Sequence, residues 1–147
     1  MKILLAIDDS EFSERVVKTV VEHVRPQGAK VQVLHVVNPI LANLVRYSAY
    51  RFVVNIKKLE QEMLKHAEVV KRAAETLRKA KFDVAVRVER GEPKKMILQA
   101  AAEWKADLIV VGSHGRSGMD QFLLGSVSEA VARYAPCSVE IVRGSSQ

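Results

Sequence analysis

The chain has one cysteine, Cys137, in 147 residues, so it can form neither an internal disulfide nor a site built on several thiolates. Its longest uninterrupted apolar run is the five residues Ile3 to Ile7. That is far short of the roughly 18 that a membrane span needs, and short of the h-region of a secretory signal. Glycine and proline are sparse, at seven and four, which excludes collagenous and low-complexity chains. No glycine is followed by lysine, and no Gly-x-Gly occurs, so the Walker A loop and the dinucleotide fingerprint are both set aside. These absences point to a cytoplasmic domain whose fold rests on burial alone.

What is present fits that class. Hydrophobic residues make up 48% and charged residues 27%, enough for a core in a single domain spanning residues 1–147. The net charge of +6 raises the question of a nucleic-acid partner. Most of the excess lies between residues 57 and 95, interleaved with Glu60, Glu62, Glu68 and Glu75. Mixed signs at helical spacing describe a solvated helix face and argue against a nucleic-acid stripe.

Five β-rich runs alternate with helical patterns. Ile3 to Ile7, Val31 to Val37 and Leu108 to Val111 read as buried strands; Val84, Val86 and Val88, and later Val139 to Val142, read as half-buried ones. Helical stripes run from Phe12 to Val24 after a candidate N-cap at Ser10, from Ile56 through Met63 and Val70 to Leu77, from Pro93 to Trp104, and from Ser126 to Tyr134. Alternation of this kind predicts an α/β fold, a doubly wound parallel sheet with helices on both faces. Asn38 to Asn55 is too long for an ordinary connection and reads equally as a lid, a partner-binding segment or an extension of the second helix. Met1, Met63, Met96 and Trp104 read as core or packing residues, and Cys137 as a small buried hydrophobe.

In open parallel sheets ligands bind outside the carboxyl ends of the strands, where the strand order reverses. Asp8-Asp9-Ser10 follows the first strand, and Gly112-Ser113-His114-Gly115-Arg116-Ser117-Gly118 follows the fourth. Gly125-Ser126 opens the last helix, whose first N–H groups attract anions. Together these segments make a phosphate cradle. Ser126 with Glu129 is also a capping box, and Asp8 could simply satisfy its own turn.

The spacing Gly112-x-x-Gly115, nine residues, Gly125-Ser126, set in VVGSHGRSGMDQFLLGSVSEAV, resembles the nucleotide-binding signature of the universal stress protein family. KILLAIDDSEFS is similar to that family's first strand and turn, and VQVLHVV to its second strand. The resemblance implies a five-stranded parallel sheet of order 3-2-1-4-5, of the adenine nucleotide alpha hydrolase-like type. It implies ATP as ligand, with Asp8 on the nucleoside and the backbone of Val36 on the adenine edge. Gly112, Gly115, Gly125, Ser126, Val127 and Ser128 would then hold ribose and phosphates, and His114 and Arg116 are candidates for further phosphate contacts. Mg²⁺ or Mn²⁺ would ride on the phosphates, since Asp8 and Asp9 are both acidic and offset nothing.

It also implies a homodimer through Val139 to Val142, against which Glu140, in a strand usually apolar, stands as a departure. The function implied is a nucleotide-dependent regulatory or stress-response module. Slow ATP hydrolysis or autophosphorylation at Ser126 or Ser128, and a dimeric scaffold with an empty pocket, are the alternatives. No Ser-His-Asp or metal-ligand arrangement emerges from His23, His35 or His66, and His114, in a loop beside the phosphate cradle, reads as a contact or an exposed residue rather than a general acid or base.

Overall fold

The computed structural model describes residues 1–38, 52–114 and 123–144. Strand β1 (Lys2–Ile7) is followed by helix α1 (Phe12–His23), β2 (Lys30–Val37), α2 (Phe52–Lys79) and β3 (Asp83–Arg90). Helix α3 (Pro93–Trp104), β4 (Leu108–Gly112), α4 (Ser126–Tyr134) and β5 (Ser138–Val142) complete the order. All strand pairings are parallel and the spatial order is β3-β2-β1-β4-β5. The period-two and period-3.6 patterns therefore sit where the sequence places them.

Strand alternation divides the core. Ile3, Leu5, Ile7, Val31 and Val33 face α1 and α2, where they meet Val16, Val17, Val20, Val70 and Leu77. Leu4, Leu34, Ile109 and Val111 face the other way, against Ile97, Ala100 and Ala101 of α3 and Val131 of α4. β1 lies at the centre, flanked by β2 and β4, and its Ile3, Leu4 and Leu5 are fully buried. β3 and β5 are the edges, and Val86 and Val88 of β3 keep about half their surface exposed.

Two readings need correction. Met1 and Met63, read as core or packing residues, are 54% and 65% exposed. For Met63 the reason is length. The 28 residues of α2 span about 42 Å at 1.5 Å per residue. The eight residues of β3 span only about 26 Å. Helix α2 outruns the sheet, and its apolar stripe finds the sheet from Val70 to Leu77. Ser10 does not cap α1. That helix starts at Phe12 behind Glu11 with no side-chain cap, because Ser10 is engaged with Asp8. Of the Asn38 to Asn55 segment, residues 52–55 belong to α2; residues 39–51 lie outside the described residues.

Candidate functional site

The strand order reverses at β1, whose chain neighbours lead to opposite sides, and in sheets of this kind the carboxyl ends of the two strands at the reversal, here β1 and β4, are where a ligand crevice forms. The β1–β2 ladder ends at the pair Ile7 and His35, whereas the β2–β3 ladder continues to Val37 and Arg90. The edge of β2 facing β1 thus opens at Val36 and Val37, directly above the end of β1. The Val36 side chain itself packs against the core on the α3 and α4 face.

Asp8 leaves β1 into a tight turn. Its Oδ1 accepts the Ser10 N–H at 3.0 Å and the Ser10 hydroxyl. The Ser13 hydroxyl accepts the Asp8 N–H at 3.0 Å, and its own proton faces the Asp8 carbonyl oxygen at 2.7 Å and Oδ1 at 3.0 Å. One carboxylate oxygen therefore holds the turn, as an Asx motif does. That arrangement fixes the direction in which the other oxygen points.

On the β4 side the organising residue is Ser113, which no motif in the sequence singles out. Its N–H donates to the Val142 carbonyl at 2.8 Å, and its carbonyl accepts the Gly125 N–H at 2.8 Å and the Ser128 hydroxyl at 2.9 Å. Ser113 is 1% exposed. It ties the ends of β4 and β5 to the start of α4. Its hydroxyl lies 2.9 Å from His114 Nδ1, which orients that ring.

Ser128 is buried and its single hydroxyl proton faces the carbonyls of Ser113 and Gly125, each at 2.9 Å. It fastens the helix start inward. Ser126 is exposed at the first position of α4, and Gly125 occupies the N-cap with no side-chain cap. The capping box read from Ser126 and Glu129 is thus not formed, and Ser128 makes the local side-chain bond instead. The N–H groups of the first turn, at Ser126, Val127 and Ser128, have no intrahelical acceptor. Val127 lends its side chain to the core.

The glycines divide by cause. At Gly125 φ is −64°, a conformation open to any residue, but a Cβ there would lie 3.1 Å from the Ser113 carbonyl oxygen. Close approach, not backbone strain, is what requires glycine. At Gly112 a Cβ would lie 2.8 Å from Cδ1 of Phe12, a ring that also rests on Gly144. Gly112 is therefore needed for packing against α1, whatever else it does. Gly115 and Arg116 lie outside the described residues. Among the described residues no group of three or more His, Cys, Asp or Glu side chains could hold a metal ion.

Glu140, the departure in β5, has a partner on α1: its Oε1 lies 2.6 Å from His23 Nδ1. Two further histidines meet beside β1. His35 Nδ1 is 2.9 Å from the Ile7 carbonyl oxygen, and His35 Nε2 is 2.6 Å from His66 Nδ1 of α2. Neither contact was visible in the sequence, since the partners lie 117 and 31 residues apart.

A doubly wound sheet whose order reverses beside an uncapped, glycine-started helix defines a class of α/β domain with its ligand crevice at that reversal. Comparison narrows the class. The profile described as the universal stress protein family matches residues 1–143. A protein of Staphylococcus haemolyticus named as a universal stress protein is 32% identical over 143 residues, covering 96% of this chain and 83% of the relative. The chain belongs to the universal stress protein family. Among solved structures, a universal stress protein in complex with cAMP is 26% identical with a TM-score of 0.69, covering 99% of this chain and 98% of its own. The universal stress protein from Archaeoglobus fulgidus in complex with dAMP is 25% identical with a TM-score of 0.68, covering 97% and 98%.

Proposed function

We propose that this protein binds ATP in the crevice between β1 and β4 and acts as a nucleotide-dependent regulatory module of the stress response. The observation that carries the reading is the uncapped start of α4, held against the end of β4 by Ser113. There, backbone N–H groups of Ser126, Val127 and Ser128 stand beside Gly112 and His114 and can receive phosphate oxygens. In this reading the opened edge of β2 at Val36 takes the adenine, and Asp8, already oriented by Ser10 and Ser13, takes the ribose hydroxyls. The same reading assigns Gly115 and Arg116 to the phosphates by their place in the glycine motif. Relatives in complex with cAMP and dAMP support an adenine nucleotide as the ligand class.

Mg²⁺ or Mn²⁺ enters with the phosphates, bridging their oxygens and completing its shell with water, and balances charge near Asp8 and Asp9. The chain works as a homodimer in this proposal, with β5 pairing antiparallel to its copy and removing an open edge. Glu140, the residue that stands against this pairing, turns its carboxylate to His23 on α1. Light scattering reporting one chain mass at micromolar concentration would refute the dimer. No described helix is long and apolar enough to cross a membrane, and a cytoplasmic location is part of the same reading.

The test of ligand class is direct. Protein purified without added nucleotide is denatured, and the released small molecules are weighed by mass spectrometry. An adenine nucleotide near stoichiometry is expected. No nucleotide, together with no uptake of added ATP, would overturn the proposal.

A further inference from the structure

His35 is 2% exposed, and both of its ring nitrogens are engaged. A carbonyl oxygen can only accept, so Nδ1 of His35 carries hydrogen and donates to Ile7, the last residue of β1. In the neutral ring Nε2 is then bare, and Nδ1 of His66 must carry the one hydrogen that lies between the two rings. The rings also stack, with centroids 4.7 Å apart and planes 29° from parallel.

Proton counting sets the behaviour of this pair. One added proton, on either ring, still leaves a single N–H between the facing nitrogens. A second places N–H against N–H at a 2.6 Å separation and sets two positive charges together beside a buried ring. The contact must then open. Its position makes opening consequential: His35 bonds to the residue before Asp8 and itself precedes Val36, so it lies between two contacts assigned to the nucleotide. His66 belongs to the helix that outruns the sheet.

We propose that His35 and His66 are positioning residues, a proton-sensitive latch that docks α2 on the carboxyl end of the sheet and holds the Ile7–Asp8 and Val36 backbone in the geometry that receives adenine nucleotide. The linkage to nucleotide rests on the function proposed above; the latch does not. Acidification that charges both rings releases α2 and weakens nucleotide binding, and bound nucleotide in turn opposes release.

Charged residues placed at this end by the packed elements are Asp8 and Asp9 after β1, Arg15 on α1, Lys65 in the turn of α2 before His66, and Arg90 at the end of β3. Val88, the register partner of His35, is apolar. All of these remain in the His66→Asn variant. In that variant the Asn amide replaces the Nδ1–H donor toward His35 without being able to take a proton.

Two measurements decide the inference. Imidazole ¹⁵N spectra of the nucleotide-free protein should show Nδ1–H tautomers for both rings at about pH 8. The titration curve of His35 should change when His66 becomes Asn, as coupled groups require. Superimposable curves would overturn the latch. Titration calorimetry with ATP and Mg²⁺ at about pH 8 and about pH 5.5 then tests the linkage. The parent should lose about fivefold or more affinity beyond the loss seen in His66→Asn, a comparison in which protonation of the nucleotide itself cancels. Equal losses would overturn the linkage. No heat from either protein at pH 8 would overturn the nucleotide reading and the linkage with it, while the spectra still decide the latch.

Discussion

Replacing Gly112 with Ala adds a Cβ 2.8 Å from Phe12 Cδ1 and 3.0 Å from Cε1, where ordinary contact begins at 3.4 Å. The ring must retreat by about 0.6 Å, the difference between 3.4 and 2.8. Its far edge faces Gly144, where a Cβ would itself lie 3.1 Å from Cε2, so the ring is wedged between two backbone surfaces. Retreat then moves the first turn of α1, which also carries Ser13 and its bonds to Asp8. Overpacking of this kind costs roughly 1–3 kcal/mol. With a urea m-value of about 1–3 kcal/mol per molar, the unfolding midpoint should fall by on the order of 1 M at unchanged m. Replacing the ring by a shorter side chain restores room, so Phe12→Leu combined with Gly112→Ala should be more stable than the two separate losses sum to, with a coupling of about 0.5–3 kcal/mol. A Gly112→Ala protein that unfolds with the parent but no longer takes up nucleotide would refute this reasoning and assign the glycine to the ligand.

Leu77→Ala should destabilise by about 2–5 kcal/mol because the side chain is fully buried under α2. Met63→Ala on the same helix should stay within about 0.5 kcal/mol of the parent, since that side chain is largely exposed; thermal and urea unfolding check both. Ser128→Ala should lower stability by roughly 0.5–1.5 kcal/mol while leaving nucleotide affinity nearly unchanged, because its hydroxyl faces the Ser113 and Gly125 carbonyls. A Ser128→Ala protein of parental stability and much weakened affinity would contradict the inward assignment. Burial, and secondarily Asp107, push the Cys137 thiol above its ordinary range. At mildly alkaline pH it should therefore alkylate more slowly than a free thiol, and catch up on unfolding. Equal rates in folded and unfolded protein would show the site to be open.

The sheet was legible because each of its signals is local. Two continuous apolar runs, one run dominated by β-branched residues and two half-buried ones give five strands, and intervening helical stripes force parallel crossovers. Periodicity could not show where a stripe loses its partner: the steps of three and four in α2 include Met63, which is largely exposed, while among the described side chains those of α2 buried in the core lie between Val70 and Leu77. The glycine spacing pointed to the β4 end and to α4, and the structure brings Gly112, Ser113, His114 and Gly125 together there. Spacing does not reveal what each glycine avoids. For Gly112 that is the ring of Phe12, a residue at the other end of the chain. Ser113, the His35–His66 pair and the His23–Glu140 pair were hidden for the same reason, since each depends on a contact that exists only after the crossovers place distant segments side by side.

The most direct test of nucleotide binding in the crevice is calorimetric titration of nucleotide-stripped protein with ATP and Mg²⁺, run beside Gly125→Val. A Cβ at Gly125 would lie 3.1 Å from the Ser113 carbonyl oxygen, so the branched side chain must displace either that carbonyl or the start of α4. Saturable heat near one nucleotide per chain is expected for the parent, and binding weakened by at least about tenfold, roughly 1.4 kcal/mol, in a Gly125→Val protein whose circular dichroism shows it folded. No heat from the parent, or a folded Gly125→Val protein that binds as tightly as the parent, would contradict the site.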